Sequence, residues 1–168
     1  MLEFVTASIL NLGIDIVVMS ANPSLLAGGG VSGVIHKAAG PELEQFAKSH
    51  APLQAGQSLL TPAFNLNAKY IVHTVCPRFY DGLLGEPEEL KMAYLSALTV
   101  CDKLSSVSSI AFVSMGTGIY KWPPEHAAKI AVAELAKSGF DKTFMCITSE
   151  SLLRIYEIAL VKSQDAIN

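Results

Sequence analysis

Charge is scarce in this chain. Asp, Glu, Lys and Arg make up 16% of its 168 residues, below the roughly 25% of an average globular protein and opposite to the balance that keeps a chain disordered. Twelve basic residues against fifteen acidic ones leave a formal net charge of −3. That excludes a general polyanion binder, although a local basic patch is compatible with it, and no direct contact with nucleic acid is expected. Cysteine is sparse too. Cys76, Cys101 and Cys146 lie far apart, no Cys-x-x-Cys occurs, and an odd count cannot close into a full disulfide framework. A reducing, cytoplasmic location is expected. No apolar run reaches the ~18 residues of a membrane span, and the richest, residues 14–19, is broken by Asp15. The opening Met-Leu-Glu-Phe has neither a basic region nor an apolar stretch, so no secretory leader is expected. Internal repeats, low-complexity tracts and linkers are also missing, which makes residues 1–168 one expected domain.

Apolar residues, in contrast, are plentiful, at 51%, with a mean hydropathy of +0.39. They come in short bursts, as in parallel strands covered on both faces. Strand-like runs fall at 2–5, 14–19, 59–64, 70–75, 110–113 and 143–148. Helical spacing predicts helices over 33–39, 41–50, 86–104, 124–137 and 150–161, with Ser32 as N-cap of the first and Pro41 and Pro124 in the opening turns of two others. Strands alternating with helices indicate an α/β domain with a mostly parallel sheet. In such sheets ligands bind beyond the carboxyl ends of the strands.

Two glycine-rich segments lie on strand-to-helix connections. Residues 28–33 read Gly-Gly-Gly-Val-Ser-Gly and formally match Gly-x-Gly-x-x-Gly. A dinucleotide fingerprint would follow its strand at once and carry an acidic residue about 20 positions later; here residues 22–27 intervene and Leu53 stands near the acidic position. No Gly-Lys-Ser/Thr follows, which excludes a Walker loop. Backbone N–H groups bare of side chains, at the start of a helix, still make an anion cradle, and three consecutive glycines exceed what a tight turn needs. The second segment, Gly116-Thr117-Gly118, offers the same chemistry with one hydroxyl. Of the four histidines none pairs with another or with a cysteine at metal-ligand spacing, so no metal site is expected. Ser32 and His36 sit one helical turn apart, as a nucleophile and base would, yet His36 among Val34, Ile35, Ala38 and Ala39 reads more simply as a core-edge histidine with a satisfied hydrogen bond. Three-residue spacing on a strand puts His73 and Cys76 on opposite faces, against a dyad. Lys69 and Arg78 read as solvated charges, Tyr120 as a residue able to pack on a ligand, and Trp122 as wall.

Taken together and in order, four segments resemble the macro domain, the ADP-ribose-binding module, and within it the stand-alone bacterial type similar to the MacroD-like hydrolases. They are residues 21–26 running into 28–31, residues 35–41 (Ile-His-Lys-Ala-Ala-Gly-Pro), residues 70–75 (Tyr-Ile-Val-His-Thr-Val), and residues 116–120 leading to Pro123-Pro124. The resemblance implies a three-layer α/β/α sandwich around a mixed, mostly parallel sheet. It implies a site for ADP-ribose or an ADP-ribosylated protein, with no cofactor. Gly28, Gly29, Gly30, Val31 and Ser32 would clasp the diphosphate against Gly116, Thr117, Gly118, Ile119 and Tyr120. Ser8 would face adenine and Asn22 the distal ribose, with Ile9 and Ala21 as further ligand-binding residues. Two departures stand out. Ser8 replaces the Asp that binds the adenine amino group, and Ser32 replaces the Asp that orients water in hydrolytic members. Binding of ADP-ribose or a related nucleotide is therefore the expected function. The alternative is an ADP-ribosyl hydrolase or O-acetyl-ADP-ribose deacetylase using substrate-assisted chemistry, with Asn22 and Ser32 as its catalytic candidates.

Overall fold

A computed structural model describes residues 1–166, so the last two positions of the expected domain lie outside the described residues. Six strands form one sheet: β1 (Leu2–Val5), β2 (Ile16–Ala21), β3 (Ser58–Pro62), β4 (Tyr70–Val75), β5 (Ser109–Val113) and β6 (Lys142–Cys146), in the order β1-β6-β5-β2-β4-β3. Every neighbouring pair is parallel except β3 with β4. The helices are α1 (Gly30–Ala39), α2 (Pro41–Lys48), α3 (Glu86–Thr99), α4 (Pro124–Leu135) and α5 (Glu150–Asp165).

The period-two alternation of β2 builds the layers. Ile16 and Val18 join Phe112 of β5 beneath α3, α4 and α5, with Leu90, Tyr94 and Tyr156 fully buried among them. Val17 and Met19 face the other way, against Ile35 of α1 and Leu43 of α2. Each such large apolar side chain contributes about 1.5–3 kcal/mol on burial. The result is the expected three-layer α/β/α sandwich with a mixed, mostly parallel sheet.

Several boundaries differ from the sequence expectation. β3 stops at Pro62, before Phe64, whose φ of 52° is incompatible with a continuing strand. β2 begins two residues late, because Asp15 is used as an anchor. Its carboxylate accepts the N–H groups of Ser108 (2.8 Å) and Ser109 (3.2 Å) and pairs with Lys69 at 2.8 Å. Lys69 is thus an ion-pair partner rather than a merely solvated charge. Together with those N–H groups it holds the Asp15 carboxyl well below the usual carboxylate range. This tie lies at the amino end of β2, so it stabilises the sheet edge opposite the glycine-rich loops. α3 ends at Thr99 rather than 104, and among the described residues no helix is long and apolar enough to cross a membrane.

Candidate functional site

β2 and β5 are adjacent and parallel, so the segments that follow them emerge side by side at one edge. After β2 the chain is held by side-chain amides and carboxylates. The Asn22 Oδ1 accepts from Ser24 Oγ (2.6 Å) and the Leu26 N–H (3.3 Å), while its Nδ2 donates to the Leu26 carbonyl at 2.8 Å. Glu44 of α2 reaches across to accept the Ala27 N–H at 2.7 Å. Asn22 is therefore a scaffold of this loop, and Gly28 lies against its amide.

Helix α1 starts earlier than expected. Gly29, not Ser32, is the N-cap, and it supplies no side-chain acceptor, so the first N–H groups of α1 are left uncapped by any side chain. Gly28, Gly29 and Gly30 are exposed. A side chain at Gly29 would meet nothing within 4 Å, whereas a Cβ at Gly33 would strike the Gly28 carbonyl. The loop thus folds back over its own helix, leaving its outer backbone bare. Ser32 lies inside the first turn, with its Oγ buried and without a hydrogen-bond partner. It therefore makes no dyad with His36.

The segment after β5 is braced from below. Two buried tyrosines support it: Tyr156 of α5 bonds Ser114 Oγ at 2.8 Å, and Tyr94 of α3 accepts the Met115 N–H at 3.3 Å. Ser114 Oγ in turn meets Thr117 Oγ1 at 3.1 Å. Gly116 has φ +87°, and a Cβ there would meet the Trp122 ring at 2.5 Å. Trp122 is the expected wall, 2% exposed. Gly116→Ala should therefore cost about 2 kcal/mol or more in stability, read as a lower urea midpoint. Gly118→Ala, with open space and an ordinary φ, should leave it unchanged.

Residues 77–85 form a third wall. Trp122 Nε1 donates to the Pro77 carbonyl at 2.8 Å, and the Phe79 N–H donates to the Tyr120 carbonyl at 3.0 Å. The Glu86 carboxylate, at the start of α3, accepts the N–H groups of Tyr80, Asp81, Gly82 and Leu84. Burial pushes this carboxyl up, but the backbone donors outweigh it and hold it at about 2. Cys76, adjoining this wall, is buried, and desolvation raises its thiol to about 12, so it is no nucleophile.

Ser8 caps a short 3-10 turn, Ile9–Asn11, accepting the Leu10 N–H at 3.4 Å. Ser8 is exposed, while Ile9 is 5% exposed and packed with Val17, Met19 and Ile35 in the core. Ala21 is likewise buried, against Leu25 and Ala47. Gly118 and Ile119 are exposed and Thr117 and Tyr120 half-buried.

Sequence spacing also hid a buried pair. His36 of α1 and His73 of β4 meet edge to face with ring centroids 5.9 Å apart. His73 Nε2 bonds Thr61 Oγ1 at 3.1 Å, but the Nδ1 atoms of both rings have no partner. The hydrogen bond expected for a core-edge His36 is therefore missing at Nδ1. Desolvation, and secondarily the neighbouring His36, lowers His73 from 6.5 to about 3; desolvation also lowers His36, against the pull of Glu44. A base held neutral when folded and protonated when unfolded loses stability as pH falls below its unfolded value. His73 alone should remove about 2–3 kcal/mol between pH 6.5 and 4.5, before the depressed carboxylates of Asp15 and Glu86 contribute. Urea midpoints measured across that window should fall, and His73→Gln should flatten the slope; a flat wild-type profile would contradict the assignment.

The macro domain family model matches residues 18–131 of this chain. A macro domain-containing protein of Ralstonia nicotianae is 40% identical over 161 residues, covering 95% of this chain and 94% of that protein. An O-acetyl-ADP-ribose deacetylase of Salmonella gallinarum is 40% identical over 175 residues, covering 98% and 96%. The structure of an Oceanobacillus iheyensis macrodomain with ADP superposes with a TM-score of 0.90 at 32% identity, covering 98% of this chain and 92% of that one.

Proposed function

Because the chain belongs to the macro domain family, we propose that it binds ADP-ribose, free or attached to a protein, as one domain in the cytoplasm. The observation that carries this reading is the pair of braced glycine loops on adjacent parallel strands, one of them leading into the uncapped N-terminus of α1. Backbone N–H groups and the positive end of the helix suit a diphosphate, and the bare backbone at Gly28 and Gly29 lets it approach. The named ligands of the relatives, O-acetyl-ADP-ribose and ADP, both contain that diphosphate. The cytoplasmic assignment is supported by three cysteines that are all free and buried.

The test is a calorimetric titration with ADP-ribose, ADP and AMP. ADP-ribose and ADP should bind in the same range and AMP far more weakly; AMP binding as tightly as ADP would remove the diphosphate from the reading. Ser8 is proposed as the adenine-side contact. Ser8→Asp should tighten ADP-ribose binding about 5- to 150-fold, the worth of one charged hydrogen bond. The turn tolerates the change, since Asp is an equally good cap. An unchanged dissociation constant would move adenine away from residue 8.

Hydrolysis is the second reading, favoured by the 40% identity to the deacetylase. Ser32 and Asn22 are its candidate residues. Release of ADP-ribose from a mono-ADP-ribosylated protein separates an enzyme from a binding module.

A further inference from the structure

A cavity of about 380 Å³ opens beside the two glycine loops rather than between them. Its walls include Pro23, the residue after Asn22, and Tyr120, the residue that ends the second loop. Across from these, Arg78, Tyr80 and Leu84 of the segment pinned by Glu86 contribute. The cavity is therefore continuous with the end of the proposed site where Asn22 and Tyr120 lie. At ~30 Å³ per water it holds about a dozen waters, far more than the two carbons of an acetyl group require.

Its rim is apolar and uncovered. Tyr80 is 66% exposed and Leu84 71%. Exposed apolar side chains gathered round a concavity mark a contact surface, and Tyr and Arg are the residues that most often anchor one. Arg78 is exposed and makes no ion pair among the described residues. Glu86, in the same wall, uses its carboxylate oxygens on backbone donors and forms no ion pair with Arg78. On α3, Glu89 adds an acceptor suited to a peptide N–H.

We infer that this cavity is an acceptor-side subsite, which takes the peptide flanking an ADP-ribosylated residue and prefers apolar residues with a carboxylate close to the attachment point. Arg78 meets the carboxylate, for which a guanidinium has the matching fork. Tyr80 and Leu84 cover the apolar side chains. The inference rests on the ADP-ribose reading above, and it adds that the chain discriminates among modified proteins by sequence.

The experiment compares two ligands by calorimetry: ADP-ribose, and a synthetic Leu- and Glu-flanked peptide carrying one ADP-ribose through a hydrolysis-resistant linkage. The modified peptide should bind at least 10-fold tighter. Arg78→Glu, and separately Tyr80→Ala with Leu84→Ala, should erase that gain and leave the ADP-ribose dissociation constant within twofold. All three side chains are exposed, and the Glu86 clamp engages backbone only, so the variants keep the fold. Equal affinity for the two ligands overturns the inference alone. A gain that survives both variants moves the peptide elsewhere and overturns it as well. Failure of wild-type protein to bind ADP-ribose removes the functional reading itself, and this inference with it.

Discussion

Ser32→Asp should raise the release of ADP-ribose from a mono-ADP-ribosylated protein by about 10²–10⁴-fold, the usual worth of a positioned general base. The wild-type site has no such base at this position. The Ser32 hydroxyl has too high a pKa to accept a proton unaided, and its Oγ bonds nothing, His36 included. A carboxylate at the third residue of α1 is favoured by the helix dipole, which offsets part of the cost of placing a charge where the Ser32 Oγ is buried. Ser32→Asn provides the control, because an amide of the same shape can orient water but takes no proton. The expected order is Asp well above Asn and wild type. If wild-type turnover already equals that of the Asp variant, the carboxylate is dispensable and the hydrolytic reading displaces the binding one.

Gly29→Glu should weaken ADP-ribose binding on the order of 100-fold or more while the melting temperature stays put. Gly29 has φ −85° and open space where a Cβ would go, so no backbone strain and no clash accompany the change. A carboxylate at a helix N-cap is even mildly favourable in the free protein. The loss is confined to the complex, where two like charges about 4 Å apart repel by about 4 kcal/mol at the effective dielectric of a protein surface. Gly29→Ala, which adds bulk without charge, should cost much less. An ADP-ribose affinity indifferent to Glu at this position would place the diphosphate away from α1.

The layers of the fold were legible because they depend on local periodicity. Ile16 and Val18 against Val17 and Met19 need only a period of two to be sent to opposite faces. The glycine loops were legible for a similar reason, since bare backbone is written in the sequence. What stayed hidden depends on partners far along the chain. Nothing near Asp15 announces Ser108 and Ser109, 93 and 94 residues away, so hydropathy alone starts β2 two residues too early. Residue type points to Ser32 as the N-cap, whereas the helix begins at Gly30 behind Gly29, which gives no side-chain cap hydrogen bond. His36 and His73 read as isolated because they meet only across α1 and β4. By sequence Glu86 is one more acid in a helical first turn, and only the folding back of residues 80–84 onto it reveals its use.

That use separates shape from identity in the segment it holds. The carboxylate, with that of Asp81 at Leu83, grips N–H groups, which every residue but proline possesses, and the exposed side chains at 80, 83 and 84 take no part in those bonds. Those three positions can therefore be rewritten by substitution while the path of the chain persists, as lettering changes on a fixed signboard. Diversification at the mouth of the cavity needs no compensating change in the core, and neither does a laboratory selection aimed at a new preference.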